Sequence, residues 1–146
     1  MKNYYKYLFF YALVCSLTTK AFSSNAQDSL ANQFKTKISQ THANNDKAEL
    51  LFLLADRYSN LNKADSAFKY YNQSLKLSTK IGLRDRAMAC NKELFQLLDS
   101  QNQLNIEPLP YLDSYYNYAK SNNDSKKILE AKLDYASYYF NATNYK

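Results

Sequence analysis

LLADRYSNLNKADSAFKYYNQSL, residues 53–75, holds two amphipathic segments with only a short polar break between them. Upstream from this stretch to Ala48, apolar and small residues fall at Leu51, Leu54, Ala55 and Tyr58. Their i, i+3, i+4, i+7 spacing puts them on one side of an α-helix. After the break SNLNKAD (59–65), Ala67, Phe68, Tyr71, Ser74 and Leu75 mark a second helical face. Asp65 or Ser66 is placed to cap that second helix by accepting a hydrogen bond from a free N–H of its first turn. Two helices joined this closely must run antiparallel. Small residues where they cross permit close approach, and large ones fill the space beside the crossing.

The whole chain supports the same class. Its 146 residues suffice for one domain with a real core, and 46% hydrophobic with 16% aromatic content excludes a disordered composition. Only one Gly and two Pro are present. Sheets, dinucleotide turns and phosphate loops depend on glycine for positive φ and close backbone approach. An all-α chain is therefore expected.

Residues 1–26 read as a signal peptide. Lys2 and Lys6 precede an apolar run from Tyr7 to Leu17, and Ser24 and Ala26 stand at the −3 and −1 positions of a small-residue cleavage site before Gln27. The run is too short to span a bilayer. An uncleaved N-terminal anchor is the alternative. Lys2, Lys6 and Lys20 lie in this segment, which has no Asp or Glu, so removing it takes the formal charge from +6 to +3. Acids and bases are interspersed in what remains, unlike the clustered basic stripe of a nucleic-acid binder. Cys90 is then the lone cysteine, which excludes an internal disulfide, and its helical surroundings suit a small buried thiol.

The 48–81 segment resembles a tetratricopeptide repeat (TPR), a helix-turn-helix unit of about 34 residues that stacks into a solenoid. Leu54 and Ala55 match the family's large-then-small pair and Tyr58 its aromatic. Ala67, Tyr71 and Ser74 match the small, aromatic and small positions of the second helix. Asn62 stands where the family often has Gly, and Thr79 where it often has Pro. A second, longer unit resembles the pattern less closely: Leu94 takes the large position, Leu98 the aromatic one, and Phe95 the position of the small residue. Pro110 can sit in the first turn of the next helix, which carries Leu112, Tyr116 and Ala119 on one face. A third start places Tyr135, Ala136 and Tyr139 at the large, small and aromatic positions, with Tyr145 near the turn. Upstream, SLANQFKTKISQTHANND reads as an incomplete helix, a cap or a decayed half-repeat. Tyr71, Tyr116 and Tyr139 are spaced to bury a ring while the hydroxyl reaches the edge.

About two and a half repeats plus a leading helix are thus expected over 27–146. The phase puts Lys146 just after the turn of the third unit, so the chain is expected to be truncated there, with the covering second helix missing.

No constellation of catalytic residues emerges. His42 is the only histidine and has no Cys or His at ligand spacing, so neither a metal nor any other cofactor is expected. RDR at 84–86 reads as a solvated helix start. Asn72, Asn123 and Asn141 fit the glycosylation tripeptide, a short pattern in an Asn-rich chain.

What the TPR resemblance implies is a concave groove lined by first helices, which clasps a protein or peptide ligand. Carried onto this chain, its groove positions are Glu49, Phe52, Asp56, Ser59 and Asn60, then Glu130, Leu133, Ser137, Phe140 and Asn141. The acids at these positions speak against the carboxylate-clamp type. Nucleic acid is not an expected partner, and membrane contact would come only through an uncleaved leader or a further segment. The leading expectation is the sensory N-terminal region of a larger membrane signalling protein, such as a histidine kinase or transcription regulator, facing the periplasm. A self-contained periplasmic or outer-membrane adaptor with no catalytic domain is the alternative. A helical appendage on an exported enzyme is the third reading.

Overall fold

A computed structural model describes residues 29–100 and 104–144. Residues 1–26, read above as a signal peptide with a cleavage site before Gln27, and Tyr145 lie outside the described residues. Six helices follow one another: α1 (29–40), α2 (Asn44–Asn60), α3 (Ala64–Ile81), α4 (Arg84–Ser100), α5 (Leu109–Ser121) and α6 (Ser125–Asn144). No strand occurs among the described residues, so the all-α class holds.

From α2 to α6 each helix packs on the next, and α2 also touches α4. Antiparallel pairing is visible in the contacts. Ser74 Oγ, late in α3, donates to the Ala48 carbonyl early in α2 at 2.7 Å, and Tyr71 meets Asp56 further along. The residues that promised a close crossing are all buried: Leu54, Ala55, Ala67 and Ser74 are fully enclosed, and Tyr58 and Tyr71 nearly so.

Three tight turns reverse the chain with the same pair of hydrogen bonds. Lys63 N–H donates to the Tyr58 carbonyl and Asn62 N–H to Ser59. Leu83 and Gly82 repeat this on Ser78 and Thr79, and Asp124 and Asn123 on Ala119 and Lys120. This is the Schellman motif, and its central residue must be left-handed. Asn62 (φ 54°), Gly82 (φ 76°) and Asn123 (φ 54°) fill that position. Asn62 and Asn123 thus hold the left-handed position that Gly82 takes in the other turn.

Two apolar cores result, and α4 belongs to both. Leu94 and Leu97 join Leu54, Tyr58, Ala67 and Tyr71, with Ala31 of α1 closing that end and Phe34 and Ile38 packed beside it. Met88 and Phe95 join Leu112, Tyr115 and Ala131.

Four expectations need correction. Helix α3 starts at Ala64 behind Lys63 with no side-chain cap, so Asp65 sits in the first turn, where its charge favours the helix dipole. In α5 the buried tyrosine is Tyr115 and not Tyr116, which is half-exposed and meets the Tyr135 ring edge-on. In α6 the inward residues are Ala131, Tyr135 and Tyr138, while Ala136 and Tyr139 face solvent. Arg86 is half-buried; only Arg84 and Asp85 of RDR are exposed.

Candidate functional site

Alternate helices α2, α4 and α6 lie side by side, and α4 supplies the cations that tie them. Arg86 donates to Glu49 of α2, 37 residues away, and its guanidinium stacks over the Phe52 ring at 4.2 Å. Lys92 donates to Glu130 of α6 at 3.0 Å, 38 residues away, with its ammonium over the Tyr115 ring at 5.2 Å. Each cation thus has one carboxylate and one ring face, a pairing stronger when partly desolvated than at an open surface.

Of the groove positions read from the sequence, Glu49, Phe52 and Asp56 are brought together with Arg86, half-buried. Asp56 accepts from the Tyr71 hydroxyl at 2.5 Å, and the Phe52 and Tyr71 rings meet edge-on at 5.5 Å. Ser59 is half-buried and Asn60 exposed at the end of the same helix. Glu130 faces α4, held by Lys92 and by the Tyr115 hydroxyl at 2.8 Å. Ser137 and Asn141 are exposed. Leu133 and Phe140 are 62% and 68% exposed, and helical geometry sets them about 60° and 80° round from Glu130, toward the outer side of α6.

Sequence reasoning did not reach the middle of this surface, which belongs to α4: Arg86, Lys92, Glu93 and Asp99. The available signal was that Arg86 and Lys92 each lie 37 or 38 residues from an acid on another helix. Electrostatically the row is acidic at its centre. Burial pushes the Asp56 carboxyl above its usual range, against the lowering effect of the Tyr71 hydrogen bond. Burial and then the nearby Asp56 charge raise Glu93. Burial also raises Asp99 and Asp134, and one carboxylate oxygen of Asp134 is sealed from solvent with no hydrogen-bond partner. Glu130 goes the other way, lowered by Lys92 first and Tyr115 second. Beside Asp99, a hollow of about 340 Å³ opens between Glu107 and Tyr138.

No family model matches this chain, and no curated protein or solved structure matches it. What the surface does rests on its own side chains. Among the described residues no group of His, Cys, Asp and Glu is arranged to hold a metal ion, and no helix is long and apolar enough to cross a membrane. Cys90 is fully buried, and burial pushes its thiol up to about 11, so it stays a neutral packing group. His42 is exposed in the α1–α2 connection. Asn72 spends its amide on the Phe68 carbonyl at 3.1 Å within α3.

Proposed function

We propose that residues 29–146 are a TPR-like binding module of an exported protein, with α2–α3 as one unit, α4–α5 as the next and α6 opening a third. The observation that carries this reading is the row of α2, α4 and α6, tied at separations of 37 and 38 residues. A helix pair of about that length, stacked on itself, brings its first helices into one such row. The leader-like segment 1–26 supports export, and with it a place facing the periplasm as the sensory region of a larger membrane signalling protein.

The ligand of the row is a protein or peptide segment, and the charge narrows its kind. Arg86 and Lys92 are committed to Glu49 and Glu130, whereas Asp56, Glu93, Asp99 and Asp134 have no cation salt-bridged to them among the described residues. A segment carrying Lys or Arg beside an apolar residue for the Phe52 end fits that surface. Selection of a random peptide library on the immobilised protein tests it. Cationic sequences should be enriched, and Glu93→Lys should abolish their binding. Enrichment that ignores charge, or that survives Glu93→Lys, would remove the row as the site.

A further inference from the structure

Helix α6 has two faces with different fates. Ala131 is fully buried, Tyr135 donates to Asp113 of α5, and Tyr138 packs against the Phe95 ring of α4. Opposite these, Leu129, Leu133, Ala136 and Phe140 fall within an arc of about 60° at the helical 100° per residue. They are open to water: Leu129 is 59%, Leu133 62% and Phe140 68% exposed, with Tyr139 at the edge 54% exposed. A stripe at this spacing matches the apolar edge of one more helix, and α3, α4 and α5 each carry a helix on both sides.

The charges around the stripe say what kind of helix. The carboxylates from 124 to 144 are engaged or enclosed elsewhere, including Glu130, which lies about 60° from Leu133. Asp124 pairs with Lys127 at 2.6 Å, Glu130 with Lys92 and Tyr115, and Asp134 is partly enclosed on the inner side. Lys126 and Lys132 are exposed, and helical geometry sets one on each border, about 60° from Leu129. A second copy of the chain fits poorly. Two antiparallel α6 stripes would set these lysines against neutral Thr143 and Ser137.

We infer that the outer face of α6 docks an amphipathic helix of a partner protein whose apolar edge is bordered by acidic residues. This surface is separate from the acidic row, and the two prefer opposite charge. Two labelled synthetic helical peptides of about 18 residues test it, sharing one Leu–Ala edge, one flanked by Glu and the other by Lys. Fluorescence anisotropy against the 146-residue protein carrying Glu93→Lys, in which the acidic row no longer takes a cationic peptide, should show the Glu peptide binding about tenfold tighter at low salt, with the advantage shrinking at about 0.3 M salt. Lys126→Glu combined with Lys132→Glu should invert the preference. Leu133→Ser combined with Phe140→Ser should remove binding of both peptides while leaving the circular dichroism unchanged. Equal binding of the two peptides, or none, overturns the inference. So does a dimer in sedimentation that Leu133→Ser dissolves, which would make the occupant a second copy, and so does failure of both peptides to bind a form of the chain extended past Lys146, which would make the occupant the chain's own next helix.

Discussion

Tyr71 and Asp56 show in one bond what the tyrosines of this chain do. The ring fills the space between α2 and α3, and its hydroxyl donates to a half-buried carboxylate at 2.5 Å. The same device recurs from Tyr115 to Glu130, Tyr118 to Asp85, Tyr135 to Asp113 and Tyr138 to Glu107. For Asp56 and Glu130 the hydroxyl satisfies a partly buried acid, whereas Asp85, Asp113 and Glu107 are exposed and the bond there ties neighbouring elements at the surface. Burial and the bonded carboxylate together raise the Tyr71 phenol far above its ordinary range, so it remains a donor at any physiological pH. Tyr71→Phe should therefore destabilise the fold by about 1–2 kcal/mol, because the ring stays while Asp56 loses its donor. Tyr58→Ala removes a ring that is 7% exposed and stacked on Tyr70 at 5.5 Å. It should cost about 3 kcal/mol through the cavity it leaves. Urea unfolding followed by circular dichroism measures both. Helical spacing made Tyr58 and Tyr71 legible in the sequence. Tyr115 and Tyr116 are adjacent and both near the apolar arc, so periodicity alone could not choose between them.

At the level of elements, the three Schellman turns explain how a chain with one glycine reverses so tightly. Gly82 has nothing within 4 Å of where a Cβ would lie, so a substitution there is felt only through the backbone. Gly82→Ala should cost about 1 kcal/mol from its left-handed conformation, and Gly82→Asn less, since Asn62 and Asn123 already hold that geometry. Thermal melts of the two variants rank them; equal melting temperatures would remove this account of the turn. The α2–α3 pair was readable because each helix has one apolar face and a polar remainder. Helix α6 was not, because it is apolar on two sides, and a sequence pattern cannot say which side has a neighbour. Arg86 was misread for a related reason: its place is set by Glu49 and Phe52 on a helix 37 residues away, which no local window contains.

For the whole molecule, the acidic row sets how stability responds to pH. Asp56, Glu93, Asp99 and Asp134 have folded-state values raised above the ordinary ones, by burial first. The fold therefore holds their protons more tightly than the unfolded chain does. Their stabilising contribution is complete below the ordinary carboxylate range and is lost as pH rises through the raised values. Glu130 has the opposite sign, its contribution present at neutral pH and lost on acidification. Asp134→Asn should thus raise the melting temperature at pH 7 and give no gain at pH 3. A gain of equal size at both would mean the effect is packing and not charge. The helical class and the hairpin order were legible from composition and spacing. The acidic centre of the row was not, because it assembles from three helices whose shared surface exists only after folding.

Helix α4 lends Leu94 and Leu97 to one core and Met88 and Phe95 to the other. A molecule with a shared wall has no seam along which it can be divided. A protease that cuts at the Gly82 turn leaves 29–81 with an open flank and hands the wall to the other fragment. A gene duplication that copied 44–81 alone would inherit the same open flank. Such a chain is best lengthened at its outer helices, where a new neighbour adds a wall without taking one away.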